Sequence, residues 1–424
     1  MMNIEAKAVN EQGKKIAIYT LTSELHDERA VAAVTQEFLN SLHIEYDLRG
    51  NDYADYGSHS LDLIYVRTGG TEGIFLRLLP QMQAQSDKPF YLLTSGKSNS
   101  LAASMEILSY LRQQGFKGEI IHGNSQYIHD RINNLSRVAE AMKLLQGTRL
   151  GIIGQPSDWL ISSRADKDKV RQCLGIELVD IPMKELLDTI AATPVKNEVT
   201  EQTPTDAIRQ SLPVAHQIYE ALKALVVRHR LSGFTLRCFD LLTAVHNTGC
   251  LALARLNSER LQAGTKTEMG IVAGCEGDVP ALLTMTIVKA LTGISGFQAN
   301  PSNIDPETGT MTLAHCTIPL NMVEHYELDT HFESGIGIGI RGHITTGPVT
   351  IFKVSGDLRR SFVAEGELIR NESKPDLCRT QLVVRLTCPA DANYFLTHPI
   401  GNHHIVVPGR HKSLFEDYVS DYHT

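Results

Sequence analysis

The 424-residue chain has no CxxC pair, no HExxH, no GxxxxGK[ST] and no GxSxG. Those absences remove a zinc ribbon, a zincin-type helix, a P-loop and a serine-hydrolase elbow. The seven cysteines (Cys173, Cys238, Cys250, Cys275, Cys316, Cys378 and Cys388) are odd in number and scattered. They imply no disulfide framework, and reduced thiols in a cytosolic protein are the plain expectation. The N-terminal run MMNIEAKAVNEQGKK lacks an apolar signal core. The best apolar stretch, Val279 to Leu291, is interrupted by Lys289 and is too short to span a bilayer. A cytoplasmic protein is therefore expected. Positive charge is not in excess either: Lys+Arg 40 against Asp+Glu 48 gives −8, so no general attraction for nucleic acid or anionic membranes is expected. Tryptophan is nearly missing, with Trp159 alone, and there is no internal repeat or low-complexity tract.

What is present is an ordinary globular balance, 42% hydrophobic and 21% charged, which excludes disordered and collagenous classes. The length suits about three domains. In the first third, β-type runs (KIAIYTL, DLIYVRTGG, FYLLTSG, GEIIHG) alternate with helical patterns over 28–42, 99–114 and up to about Leu145. Such alternation predicts a parallel sheet with helices on both faces. RLGIIG at 149–154 restarts it, followed by IELVDIP, GFTLRCF and GIVAGCE, with helices from about Pro213 to Arg230, around 247–262 and over 279–291. Residues 197–213 read as a loop. After Asn300 the texture changes to short β runs separated by Gly, Asn, Pro and Asp, with a helix only at 413–419. That spacing predicts an antiparallel barrel or sandwich. The expected architecture is two Rossmann-like α/β domains, 1–147 and 148–305, followed by a β-barrel-like domain, 306–424. GIGIGIR at 335–341 lacks GxGxxG spacing and reads as glycines on one face of a barrel strand.

Four features carry chemistry. Cys275-Glu276-Gly277-Asp278 lies where a strand ends and a helix begins, the edge of an open α/β sheet where ligands bind. Asp278 there is either a helix N-cap or a functional acid. Asn300, before a proline, is either a turn residue or a ligand. His315 in AHC, and His403 with His404 in GNHHIVVPG, complete a set in which neutral imidazoles and carboxylates suit Mn, Fe or Zn.

In order and spacing these features resemble the L-fucose isomerase/L-arabinose isomerase superfamily. The resemblance rests on Glu276-Gly-Asp278, Leu291-Thr292-Gly293 closing the next helix, the Asn300 position, and Asn402-His403 with the β run after it. It is strongest over about 230–424 and weak over 1–150. It implies aldose–ketose interconversion of a small sugar through an ene-diol, on a divalent metal, typically Mn²⁺, with paired carboxylates moving the proton. The family glutamate falls on Glu276 and the metal histidine on His403, while His315 is similar to a further ligand of the arabinose-isomerase branch. The second family carboxylate falls on Asn300 (276 + 24 = 300). An amide can coordinate through its carbonyl but cannot accept a proton. Asp278, Asp305 or Asp240 could substitute, and Asp278 is favoured because i and i+2 of an extended segment share a face. The family's site is completed by a neighbouring subunit, which implies a homo-oligomer, trimer or hexamer, with inter-subunit sites. Arg67, Lys97 and Asn99, on loops after strands, would then touch substrate or be ordinary turns. Trp159 would stack on a sugar face or serve as core or interface, and His404 would line the pocket. Three functions compete: a metal-dependent isomerase, a sugar- or sugar-acid-binding relative without isomerisation, and a metal-free regulatory sugar binder. Glu276 and His403 favour the first and Asn300 the others.

Overall fold

Six consecutive buried residues, Ile16–Leu21, form β1. A strand buried along its whole length belongs in the middle of a parallel sheet covered by helices. The structure, a computed structural model, describes residues 15–196, 205–259 and 269–422. It divides into two units, Met1–Glu140 and Ala141–Thr424. In the first, α1 (Glu28–Ser41), β2 (Asp47–Gly50), β3 (Leu61–Val66), α2 (Glu72–Gln85), β4 (Phe90–Leu93), α3 (Ser100–Gln113) and β5 (Gly118–Ile121) follow β1, and the division falls within α4 (Ser125–Leu145). The sheet is parallel, in the order β2-β1-β3-β4-β5. Asp27 starts α1 by accepting from Arg29 N and Ala30 N at 2.8 and 3.1 Å.

The second unit opens with β6 (Arg149–Ile153), α5 (Lys167–Leu174), β7 (Glu177–Ile181), α6 (Met183–Ala192) and α7 (Asp206–His229). It continues through β8 (Gly233–Leu236), α8 (Asp240–Val245), α9 (Cys250–Leu256), β9 (Val272–Cys275) and α10 (Val279–Thr292). Its sheet is again parallel, ordered β7-β6-β8-β9. The chain then runs through β10 (Phe297–Asp305), β11 (Thr310–His315), β12 (His325–Asp329), β13 (Gly339–His343), β14 (Gly347–Val354), β15 (Ser361–Glu372), β16 (Thr380–Leu386), α11 (Ala392–Thr397), β17 (His404–Pro408) and α12 (Lys412–Tyr422). Six of these strands close an antiparallel barrel in the order β10-β11-β16-β15-β14-β17, and β12 and β13 form a separate two-stranded sheet. Mixed α/β architecture with parallel sheets and a closed antiparallel barrel is thus the observed class. Phe297, Met311, Leu313, Ile351, Leu382 and Val406 fill the barrel.

Helix α10 positions the site. All but two of its residues are buried, so it is enclosed on every side, with Lys289 and the threonines hydrogen-bonded within. It packs on β8 and β9 of the sheet and on β14 and β17 of the barrel. Its Thr284 hydroxyl accepts from Val354 N at 3.1 Å.

Two local readings change. The GIGIGIR run is not a barrel strand: Gly335 and Gly337 are left-handed at φ 67 and 65, and only Gly339–His343 is extended, paired with β12. Helix α7 begins at Asp206 rather than near Pro213, because Thr205 caps it on Ile208 N. Residues 197–204 of the expected loop and 260–262 of the expected helix lie outside the described residues.

Candidate metal centre

Strand β9 ends at Cys275, whose N–H donates to Gln298 Oε1 at 2.8 Å. The next two residues, Glu276 and Gly277, are both left-handed, at φ 61 and 71. Only glycine suits position 277, since a Cβ there would lie 2.5 Å from the Gln155 carbonyl oxygen. Gly277 N donates to Leu236 O, and the Glu276 carbonyl accepts from Ser157 N, which clamps the loop between the ends of β6 and β8. Asp278 then caps α10 on Ala281 N at 2.8 Å, with Pro280 in the first turn where no N–H is needed.

The barrel brings the histidines to the same place. Asn300 on β10 pairs with Ala314 on β11, and Ala299 pairs with His404 on β17. His315 and His403 are each the next residue along, so they flank β10 at one end of the barrel. Their rings lie 5.3 Å apart. Nε2 of His315 is 3.5 Å from Glu276 Oε1, and Nε2 of His403 is 3.4 Å from the same oxygen. Each opposite ring nitrogen is held: His315 Nδ1 by Thr317 Oγ1 at 2.9 Å, His403 Nδ1 by Asp278 Oδ2 at 2.8 Å. Fixing Nδ1 directs Nε2 inward, the arrangement that supports metal-binding histidines.

Glu276, His315 and His403 are buried, and one ligand atom from each lies within 4.8 Å of the others. His403 Nε2 is buried without a hydrogen-bond partner. An orphaned imidazole nitrogen facing a carboxylate oxygen and a second imidazole fits a divalent cation, with an N₂O donor set suited to Mn, Fe or Zn.

Charge follows this geometry. Burial alone would raise the Glu276 carboxyl, but His403 and His315 outweigh it and hold it well below the usual carboxylate range. Burial would lower His403, yet Glu276 and Asp278 prevail and push it up to about 9. His315 is lowered, by burial first and then by the His403 charge. Without metal, His403 therefore carries the proton that a cation must displace. Divalent-metal affinity, read by titration calorimetry, is expected to rise about tenfold per pH unit between roughly pH 6 and 8, with about one proton released. The sign for stability is opposite. A folded value above the ordinary 6.5 stabilises the metal-free protein fully below about 6.5, and this is lost as pH rises through about 9. A flat affinity profile would refute proton displacement from His403.

The other residues singled out from sequence lie as follows. Asp278 is fully buried, with one oxygen on Ala281 N, the other on His403, and the ammonium of buried Lys353 at 3.8 Å. Asn300 accepts from Asn402 Nδ2 at 3.0 Å. Trp159 is 52% exposed; its Nε1 donates to Glu276 Oε2 at 2.8 Å and its ring meets Phe239 edge-on at 4.7 Å. His404 is buried among Phe362, Tyr394 and Phe395, with Nε2 on the Tyr394 hydroxyl and Nδ1 on Asn402 O. Burial, then Lys353, lowers it to about 3, so it stays neutral. In the first unit, Arg67 is held by Thr22 and by both oxygens of Glu28. Lys97 Nζ lies 3.8 Å from Glu37, and left-handed Asn99 follows Ser98, whose carbonyl accepts from Gly69 N.

Sequence reasoning missed Lys353, which faces Asp278, and Phe239, which meets Trp159. Lys353 follows Val349 and Ile351 at every second position of β14 and so continues their core-facing row. A lysine in such a row was the available signal.

No protein-family model matches the chain. Curated relatives do. A sulfoquinovose isomerase of Alkalicoccus urumqiensis is 20% identical over 271 residues, 60% of this chain and 59% of that protein. One from Priestia aryabhattai is 23% identical over 318 residues, 71% of this chain and 69% of that protein. One from Clostridium sp. (strain MSTE9) is 24% identical over 197 residues, 44% and 41% of the two chains. The match to the first of them thus spans less than two thirds of its length. The strand-end glutamate, the barrel histidines and this distant likeness to sugar isomerases agree with the resemblance to the fucose isomerase and arabinose isomerase superfamily.

Proposed function

We propose that the protein is a metal-dependent aldose–ketose isomerase that moves a proton between C1 and C2 of a sugar through an ene-diol. The observation that carries this reading is the buried Glu276, His315 and His403 group with its orphaned Nε2. The names of the relatives support a sugar as substrate. Glu276, His315 and His403 would hold a divalent cation, Mn²⁺ by family likeness, with Asn300 on β10 as a further candidate through its carbonyl, which now accepts from Asn402. A cation there would supply Lewis acidity to the sugar carbonyl. Asp278 has both oxygens engaged, and we assign it to holding His403 rather than to the spare-base role its sequence position suggests. The exposed face of Trp159 is offered to the sugar, while His404, with both nitrogens bonded, keeps a packing role. Assembly into a homo-oligomer in which Arg67, Lys97 and Asn99 reach a neighbouring copy's substrate belongs to the same proposal. Among the described residues no helix is long and apolar enough to cross a membrane.

The test is metal analysis of purified protein, then an aldose panel including sulfoquinovose, assayed with added Mn²⁺. The expected result is about one divalent ion per chain and ketose formation that a chelator abolishes. No bound metal and no ketose would overturn the reading. The alternative, a sugar-binding relative without isomerisation, is favoured by the amide at Asn300, and binding of a sugar with metal present but without turnover would select it.

A further inference from the structure

Two thiols meet directly behind the metal centre. Cys275 closes β9 and immediately precedes Glu276. It is paired in register with Leu236, the last residue of β8, and Cys238 follows two residues later on that neighbouring segment. The two Sγ atoms lie 3.2 Å apart; both cysteines are buried and both are free thiols. A disulfide brings its sulfurs to about 2.0 Å, so closing this pair asks for roughly 1.2 Å of approach.

The surroundings decide where that movement goes. The Cys275 backbone is held on both sides. Its N–H donates to Gln298 Oε1 at 2.8 Å, and its carbonyl accepts from Thr235 Oγ1 at 3.2 Å and from Gln298 Nε2 at 3.3 Å. Cys238 stands instead at the turn into α8, where its carbonyl accepts from Leu241 N at 3.1 Å. The next residue, Phe239, is half-buried, and its ring meets the Trp159 indole edge-on at 4.7 Å. Trp159 Nε1 in turn donates to Glu276 Oε2 at 2.8 Å. The two cysteines thus border Glu276 from two directions, Cys275 through the chain and Cys238 through Phe239 and Trp159. With Cys275 anchored, closing the sulfurs draws on the Cys238 side and on the aromatic contact that steadies Glu276 Oε2.

We propose that Cys238 and Cys275 form an oxidation site, closed to a reversible disulfide by hydrogen peroxide, and that closure weakens the metal centre. The effect on metal binding rests on the metal-dependent reading above; the disulfide itself does not. The Sγ of one cysteine attacks a peroxide oxygen and loses its proton, the O–O bond breaks, and a sulfenic acid and one water result. The Sγ of the second cysteine then attacks the sulfenic sulfur, forming the S–S bond, while the displaced hydroxyl takes that cysteine's proton and leaves as a second water. Two thiols and one hydrogen peroxide give one disulfide and two waters; the sulfurs lose two electrons and the peroxide oxygens gain them. Burial suits this oxidant, which is scarcely larger than water, and the apposed second thiol captures the sulfenic acid before it is oxidised further. A small dithiol reductant reverses the step by thiol–disulfide exchange.

The experiment treats the reduced, metal-free, full-length parent, Cys238→Ser and Cys275→Ser with hydrogen peroxide, blocks the remaining thiols and maps the peptides by mass spectrometry. Mn²⁺ titration and the emission of Trp159, the single tryptophan of the chain, are read before and after. Expected in the parent are a peptide linked through Cys238 and Cys275, a fall in Mn²⁺ affinity of about 10–100-fold, the size that follows from disturbing the support of a metal ligand, and a shifted or quenched Trp159 emission. Dithiothreitol should reverse all three. Each serine variant should keep the affinity and emission it had before treatment. Absence of the linked peptide, or linkage of either cysteine to a different one, overturns the proposal. A linked parent with unchanged Mn²⁺ affinity overturns the coupling to the metal centre, and so does an equal loss in the serine variants. A reduced parent that binds no Mn²⁺ overturns the metal reading and the coupling with it, whereas the oxidation site then stands or falls on the linked peptide and the reversible change in Trp159 emission.

Discussion

Glu276→Gln is expected to lower aldose–ketose turnover by at least roughly 10²-fold and to weaken Mn²⁺ binding by about 10–100-fold or more, read by steady-state kinetics and metal titration. The carboxylate oxygen Oε1 is the one atom that both His315 Nε2 and His403 Nε2 approach, at 3.5 and 3.4 Å. An amide there is uncharged. If its oxygen faces the cation, its NH₂ replaces Oε2 opposite the Trp159 donor, setting two donors against each other. Flipping the amide mends that contact and turns NH₂ towards the metal, so neither orientation serves. Normal metal content in Glu276→Gln would remove the ligand role.

The second large effect concerns stability. Asp278→Ala is expected to cost about 3–5 kcal/mol in urea unfolding of the metal-free protein, the usual penalty for breaking a buried ionic group from one side. The side chain is fully buried and faces three things: Ala281 N, His403 Nδ1 and the Lys353 ammonium at 3.8 Å. Removing it leaves Lys353 buried with no carboxylate partner and strips the cap from α10, the cap alone being about 1 kcal/mol. Asp278→Asn keeps the cap and should fall between the two. The pH dependence has a definite sign. Burial would raise the Asp278 carboxyl, but Lys353 and His403 outweigh it and leave it at about 2. Its contribution is therefore full above the ordinary 3.8 and is lost as pH falls towards about 2, so parent and Asp278→Ala should converge in that window. A difference under about 1 kcal/mol at neutral pH would show that the interior tolerates Lys353 unpaired.

Much of this fold was readable from the chain. The continuous apolar runs at 16–21 and 61–66 are what a parallel strand buried on both faces requires. The alternation after Asn300 is what a filled barrel requires. Glu276, His315 and His403 could each be suspected because acids at a strand end and histidines at β edges have few structural uses. What could not be read was their relation to everything pairing around them. Asp278 looks the same in sequence whether it is a base or the clamp on His403, since the difference lies in contacts 125 residues away. GIGIGIR misled for a similar reason: a left-handed glycine and an extended one are identical letters.

Glu276 stands at φ 61 with its Oε1 facing the two imidazoles, followed by Gly277 at φ 71. A side-chain-bearing residue in that region costs of order 1–3 kcal/mol, and glycine would be relieved of most of it. A selection for thermal tolerance alone, in the laboratory or in a lineage that no longer uses the reaction, would therefore be drawn to glycine at position 276. Among chains of this fold, a Cys-Gly-Gly-Asp at the end of the fourth sheet strand would be the signature of a scaffold kept after its chemistry was given up.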